Sequence, residues 1–204
     1  MPQEAAKSLS LSPLLQRVHS GWRQACGAAQ LPMRSALDPR DFGADVGAIW
    51  VAERRSSDDF RFRVSGHVVG RIMGMEMRGM PAVSIIEPED RQAMSELLIT
   101  SCAQRMVAHV CLQSDHGTPH QSTLLLMPML GPTGKVDRIL GALDVDCDAL
   151  PPNRFRILQT KLFPASAGSH AIRPQDKSNA NSLKVIHGGR ATRSAPRAKL
   201  RLVS

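Results

Sequence analysis

From Ser8 to about Gly27 the apolar residues Leu11, Leu14, Leu15, Val18 and Trp22 recur at i, i+3, i+4, i+7 and i+11, which places them along one stripe of a helix. Gly27 closes that helix. Asp38-Pro39, with Asp41 close behind, has the form of a helix start, a side-chain cap followed by proline at the first helical position. A short second helix is predicted there, turning Phe42, Val46 and Ile49 inward. The period then changes to two. Residues 48–53 and 59–66 read as strands, and in the second Phe60, Phe62 and Val64 alternate with Arg61, Arg63 and Ser65, so the three apolar side chains are expected on one buried face. The polar stretch from Arg55 to Asp58 suits the turn of an antiparallel hairpin.

Between His67 and Val83 the glycines 70, 74 and 79 stand among Met73, Met75, Met77 and Met80, a mixture that excludes a long helix and predicts an irregular, packed connector. Glu87-Pro88-Glu89-Asp90 then opens a helix with acidic residues in its first turn and Ala93, Met94, Leu97, Leu98 and Cys102 along one face. Three strands follow, at about 106–114, 122–130 and 138–146, the last two separated by the turn signal Gly131-Pro132-Thr133-Gly134. Residues 124–130 are apolar throughout, which predicts a strand covered on both faces, and Pro128 within it points to an edge or a bulge because it lacks a ladder donor. After Pro151-Pro152 some apolar content persists through Phe155, Ile157, Leu158, Leu162 and Phe163, and beyond about residue 164 the composition turns to Ser, Ala, Asn, Gly and Arg. The reading is α+β: a helical extension over 1–20, a domain over 21–150 built on a five-stranded antiparallel sheet with a helical connector, and a basic, largely disordered tail over 151–204.

Charge sharpens that division. The 204 residues carry +8, yet residues 1–150 hold 15 Lys and Arg against 17 Asp and Glu, while residues 151–204 hold 11 against the single Asp176. The folded part therefore offers no basic field for nucleic acid. Lys184, Arg190, Arg193, Arg197, Lys199 and Arg201 make the tail a candidate for DNA, RNA or an anionic surface by counterion release. At 42% apolar residues, with no run near the ~20 needed to span a bilayer and no basic-then-apolar leader, a soluble cytoplasmic protein is expected.

Cys26, Cys102, Cys111 and Cys147 are irregularly spaced, which argues against zinc or structural disulfides and for small buried hydrophobes, with redox sensing as the alternative. Nucleophile elbow, phosphate loop, paired metal motif and dinucleotide fingerprint are all missing, so catalysis is not expected and no catalytic or metal-binding residue is assigned.

Specific stretches carry a resemblance: Trp22; Leu31-Pro32-Met33-Arg34 and Leu37-Asp38-Pro39; the strand Asp59 to Gly66; Gly74-Met75-Glu76-Met77-Arg78-Gly79; and Leu125-Leu126-Met127-Pro128-Met129. Together with the element order they resemble a PAS domain, in particular a bacterial subfamily of short standalone PAS proteins, over about residues 20–147. The acid that often leads the Pro-containing strand in that family is replaced here by Ser122 or Thr123. The resemblance implies a sensory or adaptor role exercised through a small ligand or a protein partner. It also implies a pocket between sheet and connector, for which Phe62, Val64, Met73, Met77, Leu98, Val110, Leu126 and Leu143 are candidates, with core filling as the plainer role for the same side chains. Arg34, Asp38 and Arg63 form the candidate polar motif. The stripe Leu11, Leu14, Leu15, Val18 and Trp22 is the candidate face for a homodimer. No cofactor is predicted. For haem only His67 and His109 come into question, His67 after a strand end and His109 facing solvent. Asn153 to Gln159 echoes the flavin-adduct motif of light-sensing relatives but lacks its cysteine.

Overall fold

The computed structural model describes residues 11–114, 121–145 and 151–166. Helix α1 spans Pro13–Cys26, with the Ser12 hydroxyl accepting from the Leu15 amide at 3.3 Å and Pro13 in the first turn. A 3-10 stretch, Pro39–Ala48, follows, and Asp38 caps it by accepting from the Arg40 amide at 2.9 Å. The expected single helix is broken at Gly43, whose φ of 51° and ψ of −128° no helix permits. As a result Phe42 turns inward while Val46 remains exposed, and Ile49 belongs to the next element.

Strands β1 (Ile49–Arg54) and β2 (Phe60–Ser65) form the hairpin, α2 (His67–Met73) opens the connector, and 3-10 turns at Ala82–Ile85 and Pro88–Asp90 lead into α3 (Arg91–Gln104). Strands β3 (Met106–Ser114), β4 (Gln121–Leu130), β5 (Val136–Asp144) and β6 (Phe155–Pro164) complete one antiparallel sheet in the order β2-β1-β5-β4-β3-β6.

The sheet has six strands rather than five. Residues 155–164, assigned to the tail from composition, pair with the whole of β3, from Met106 opposite Pro164 to Ser114 opposite Phe155. Phe155 is buried in the inner core, its carbonyl accepts from the Glu87 amide at 2.9 Å, and the Ile157 amide donates to the Asp90 carboxylate at 2.9 Å. Residues beyond 166, including the basic cluster Lys184 to Arg201 and its expected disorder, lie outside the described residues, as does Cys147.

Each face of the sheet is covered by a different layer. On the inner face α2, the connector and α3 pack over Trp50, Phe62, Val110, Leu124, Leu126, Leu143 and Phe155. On the outer face α1 and residues 31–48 pack over Val51, Val107, Leu125, Met127, Met129 and Leu140. Residues 124–130 of β4 are apolar throughout because alternate residues serve opposite cores. Pro128 sits in this internal strand, not at an edge, beyond Leu126 where the ladder with β3 stops. Its carbonyl accepts from the Trp22 indole N–H at 3.2 Å.

The stripe of α1 meets this outer face. Leu11, Leu15, Val18 and Trp22 are buried in their own chain and Leu14 packs against the same cluster. The candidate dimer face is thus consumed by the sheet, because an apolar sheet face must itself be covered.

Candidate functional site in an outer groove

Seven of the eight candidate pocket residues, Phe62, Met73, Met77, Leu98, Val110, Leu126 and Leu143, belong to one contiguous, buried inner core. The eighth, Val64, does not. In the β1–β2 ladder Val51 faces Val64 and Ala52 faces Phe62, which leaves Arg63 as an extra residue in β2. That bulge shifts the alternation by one, so Phe62 points inward while Val64 emerges on the outer face, 52% exposed.

Val64 there lines a cavity of about 250 Å³ between the 3-10 stretch and the sheet, at the end of the sheet farthest from β6. Its floor is Ile49, Val51 and Leu140, its walls Leu37, Phe42 and Val46, and its rim includes Arg34 and His67. Val46 is 41% exposed at the mouth. Two glycines set the closeness of the walls. A Cβ on Gly47 would lie 2.2 Å from Cε1 of the His67 ring, and one on Gly66 would lie 2.2 Å from the Gly47 carbonyl oxygen. At Gly66 the approach is backbone to backbone, so the 3-10 stretch lies directly on the turn from β2 into α2 only with glycine there, whereas a side chain at position 47 would have to displace the exposed His67 ring.

Arg34 is held over this cavity by backbone pairing, since the Leu130 amide donates to the Pro32 carbonyl at 2.9 Å and Met33 bridges to Leu130. The only hydrogen bond of its side chain within the described residues is to the Leu37 carbonyl at 3.5 Å, the outer limit of such a bond. The members of the candidate polar motif do not meet one another. Asp38 is engaged by Arg40 at 2.6 Å, which holds its carboxyl below the usual range. Arg63, carried out by the bulge, pairs with Glu53, which also meets Arg138 at 3.1 Å and Arg55 at 3.7 Å. Burial alone raises the Glu53 carboxyl, but these arginines outweigh it and hold it low. Asp45 near the groove is taken by Arg17 at 2.7 Å. Among the described residues, Arg34 and His67 are thus the two basic side chains lining the groove, and no described carboxylate pairs with either.

His67 is exposed at the start of α2. His109 is not the solvent-facing residue expected, being 1% exposed. It pairs across the ladder with Leu125 on the outer face, and burial, with a smaller contribution from Lys161, lowers its pKa to about 4. Neither of its ring nitrogens has a hydrogen-bond partner among the described residues. His19, on α1 and stacked on Trp22 at 5.8 Å, is buried in the same layer and lowered to about 4 by burial and Arg23. Sequence reasoning passed over His19 because it interrupts no apolar spacing. Cys26 and Cys102 are buried, and desolvation raises the thiols of Cys26, Cys102 and Cys111, that of Cys102 to about 12, away from the reactive thiolate. Asn153 of the flavin-like echo is buried and joined to Ser114 at 2.8 Å. No group of three or more His, Cys, Asp or Glu placed to hold a metal occurs among the described residues.

An antiparallel sheet in the order β2-β1-β5-β4-β3, with a helical connector and a long helix on its inner face, defines a PAS-type α+β module, here with one strand added beyond β3. A family model described as PAS domain matches residues 11–144, and the chain belongs to that family. No curated protein and no solved structure matches it. A PAS domain is in general a sensory or interaction module. Among the described residues no helix is long and apolar enough to cross a membrane.

Proposed function

We propose that this chain is a cytoplasmic PAS sensor or adaptor of the bacterial standalone type, which works by binding rather than catalysis and binds through its outer groove. One observation carries the reading: seven of the eight candidate inner-pocket side chains are buried together in one core cluster, whereas the groove under residues 39–48 is open, apolar and edged by two exposed valines. Exposed apolar side chains around a concavity are the usual mark of a binding surface. Self-association through α1 is not part of this reading.

The test is native mass spectrometry of the full chain purified from its own host, beside Val64→Glu. That variant adds a charge at an exposed position, so the fold is expected to survive. A small molecule or partner retained by the first protein and lost from the second supports the groove. Equal retention by both would place binding elsewhere.

A basic tail gives a second reading, contact with nucleic acid or an anionic surface. It rests on the concentration of 11 Lys and Arg against one acid in residues 151–204.

A further inference from the structure

We propose that the groove takes a small carboxylic acid with an unbranched apolar body, its carboxylate received by Arg34. The inference rests on the reading of the groove as the binding site and adds the chemistry of its ligand. Two features of the structure lead to it.

The first is the lining. Ile49, Val51, Val64 and Leu140 present hydrocarbon, so the part of a ligand that enters must be apolar. At roughly 30 Å³ per water-sized group, the 250 Å³ available holds about eight of them, enough for the body of a medium-chain acid.

The second is the charge at the rim. A guanidinium offers five N–H groups in a planar fork suited to bidentate binding of a carboxylate. Arg34 uses one, weakly, on the Leu37 carbonyl. Asp38, Asp45 and Glu53 are engaged elsewhere, Asp38 by Arg40, Asp45 by Arg17 and Glu53 by Arg63 and Arg138, and no described carboxylate forms an ion pair with Arg34. Arg34 is therefore the cation left for an incoming anion, and one fixed cation in an apolar setting matches a single negative charge better than a phosphate.

The experiment is an NMR titration of the full chain with octanoate, octan-1-ol and octylamine, following the amides of β1, β2 and the 3-10 stretch. Octanoate is expected to shift those amides and to bind about tenfold or more tightly than octan-1-ol, the scale of one hydrogen-bonded ion pair. Arg34→Gln should remove that preference while leaving octan-1-ol binding unchanged, and Arg34→Lys should restore part of it. Equal binding of octanoate and octan-1-ol, preference for octylamine, or an acid preference that survives Arg34→Gln would overturn the carboxylate assignment while leaving the groove as a binding site. If no compound moves groove amides, or shifts map only to β6, the groove reading falls with it.

Discussion

Acid should loosen this domain from its outer layer, through His19 and His109. Both are buried between α1 and the sheet, with the pKa of each lowered from 6.5 to about 4, chiefly by desolvation and further by Arg23 and Lys161 respectively. A histidine lowered on folding binds more protons when unfolded, so its stabilisation is complete above about pH 6.5 and is lost as pH falls toward 4. Integrating that linkage from pH 7.5 to pH 5 gives a loss of about 2 kcal/mol for each histidine and about 4 kcal/mol for the pair. Against a total stability of roughly 5–15 kcal/mol that is a large fraction. The window stays above most carboxylate titrations, which would otherwise mix in.

The assay is urea unfolding at pH 7.5 and 5.0, monitored by the fluorescence of Trp22 and Trp50, for the native chain, His109→Leu and His19→Leu. Each variant should keep about half the pH dependence. His109→Leu should in addition match or exceed the native stability at pH 5, because it removes two buried ring nitrogens that have no hydrogen-bond partner among the described residues. A native chain that changes by less than about 1 kcal/mol over the interval, or a His109→Leu protein with an undiminished pH response, would refute the reasoning.

Other outcomes follow from the packing. Gly141→Ala should destabilise by about 1–3 kcal/mol or more: its Cβ would lie 2.0 Å from Cε2 of Trp50, whose ring is fully buried and set edge-on to Phe62 at 5.0 Å. Gly70→Ala, a helical position whose nearest atom is 3.5 Å away, should instead gain about 0.5–1 kcal/mol in the same denaturation experiment. Ending the chain after Leu150 should lower its thermal midpoint sharply or prevent folding, since it uncovers the edge of β3 and removes buried Phe155 and Leu162, whereas ending it after Ser166 should leave the midpoint within a few degrees. DNA binding, if carried by the basic tail, should fall steeply between 50 and 200 mM salt and vanish in the chain ended after Ser166, as read by fluorescence anisotropy; salt-independent binding would exclude that route.

Much of the architecture was legible because it rests on local rules. The stripe of α1, the Asp38-Pro39 cap, the Glu87 to Asp90 helix start and the turn at Gly131 each declare themselves within a few residues, and their order sufficed to identify the PAS family. The apolar run of β4 also announced that the sheet is covered on both faces. What local rules could not place were two of the three register shifts in the sheet. The extra residue at Arg63 turns Val64 from the core to the groove, and Leu158, unmatched in β6 where Cys111 faces Gln159 and Leu112 faces Ile157, breaks the alternation that would have marked 155–164 as a strand. A bulge is decided by the register of two strands distant in sequence, which a periodicity read along one chain does not contain.

The same holds for the site. Arg34 stood out in the sequence, but its partners did not: only the folded chain decides that Asp38 turns to Arg40, that Glu53 takes Arg63, and that Arg34 is left beside an apolar groove. Whether the stripe of α1 seeks a second copy or its own sheet is likewise undetermined by amphipathicity, since the same face satisfies both. The sequence by itself determined which elements form and which side of each is apolar; the tertiary structure decided which apolar faces cover one another, because burial is a property of pairs of surfaces rather than of either one.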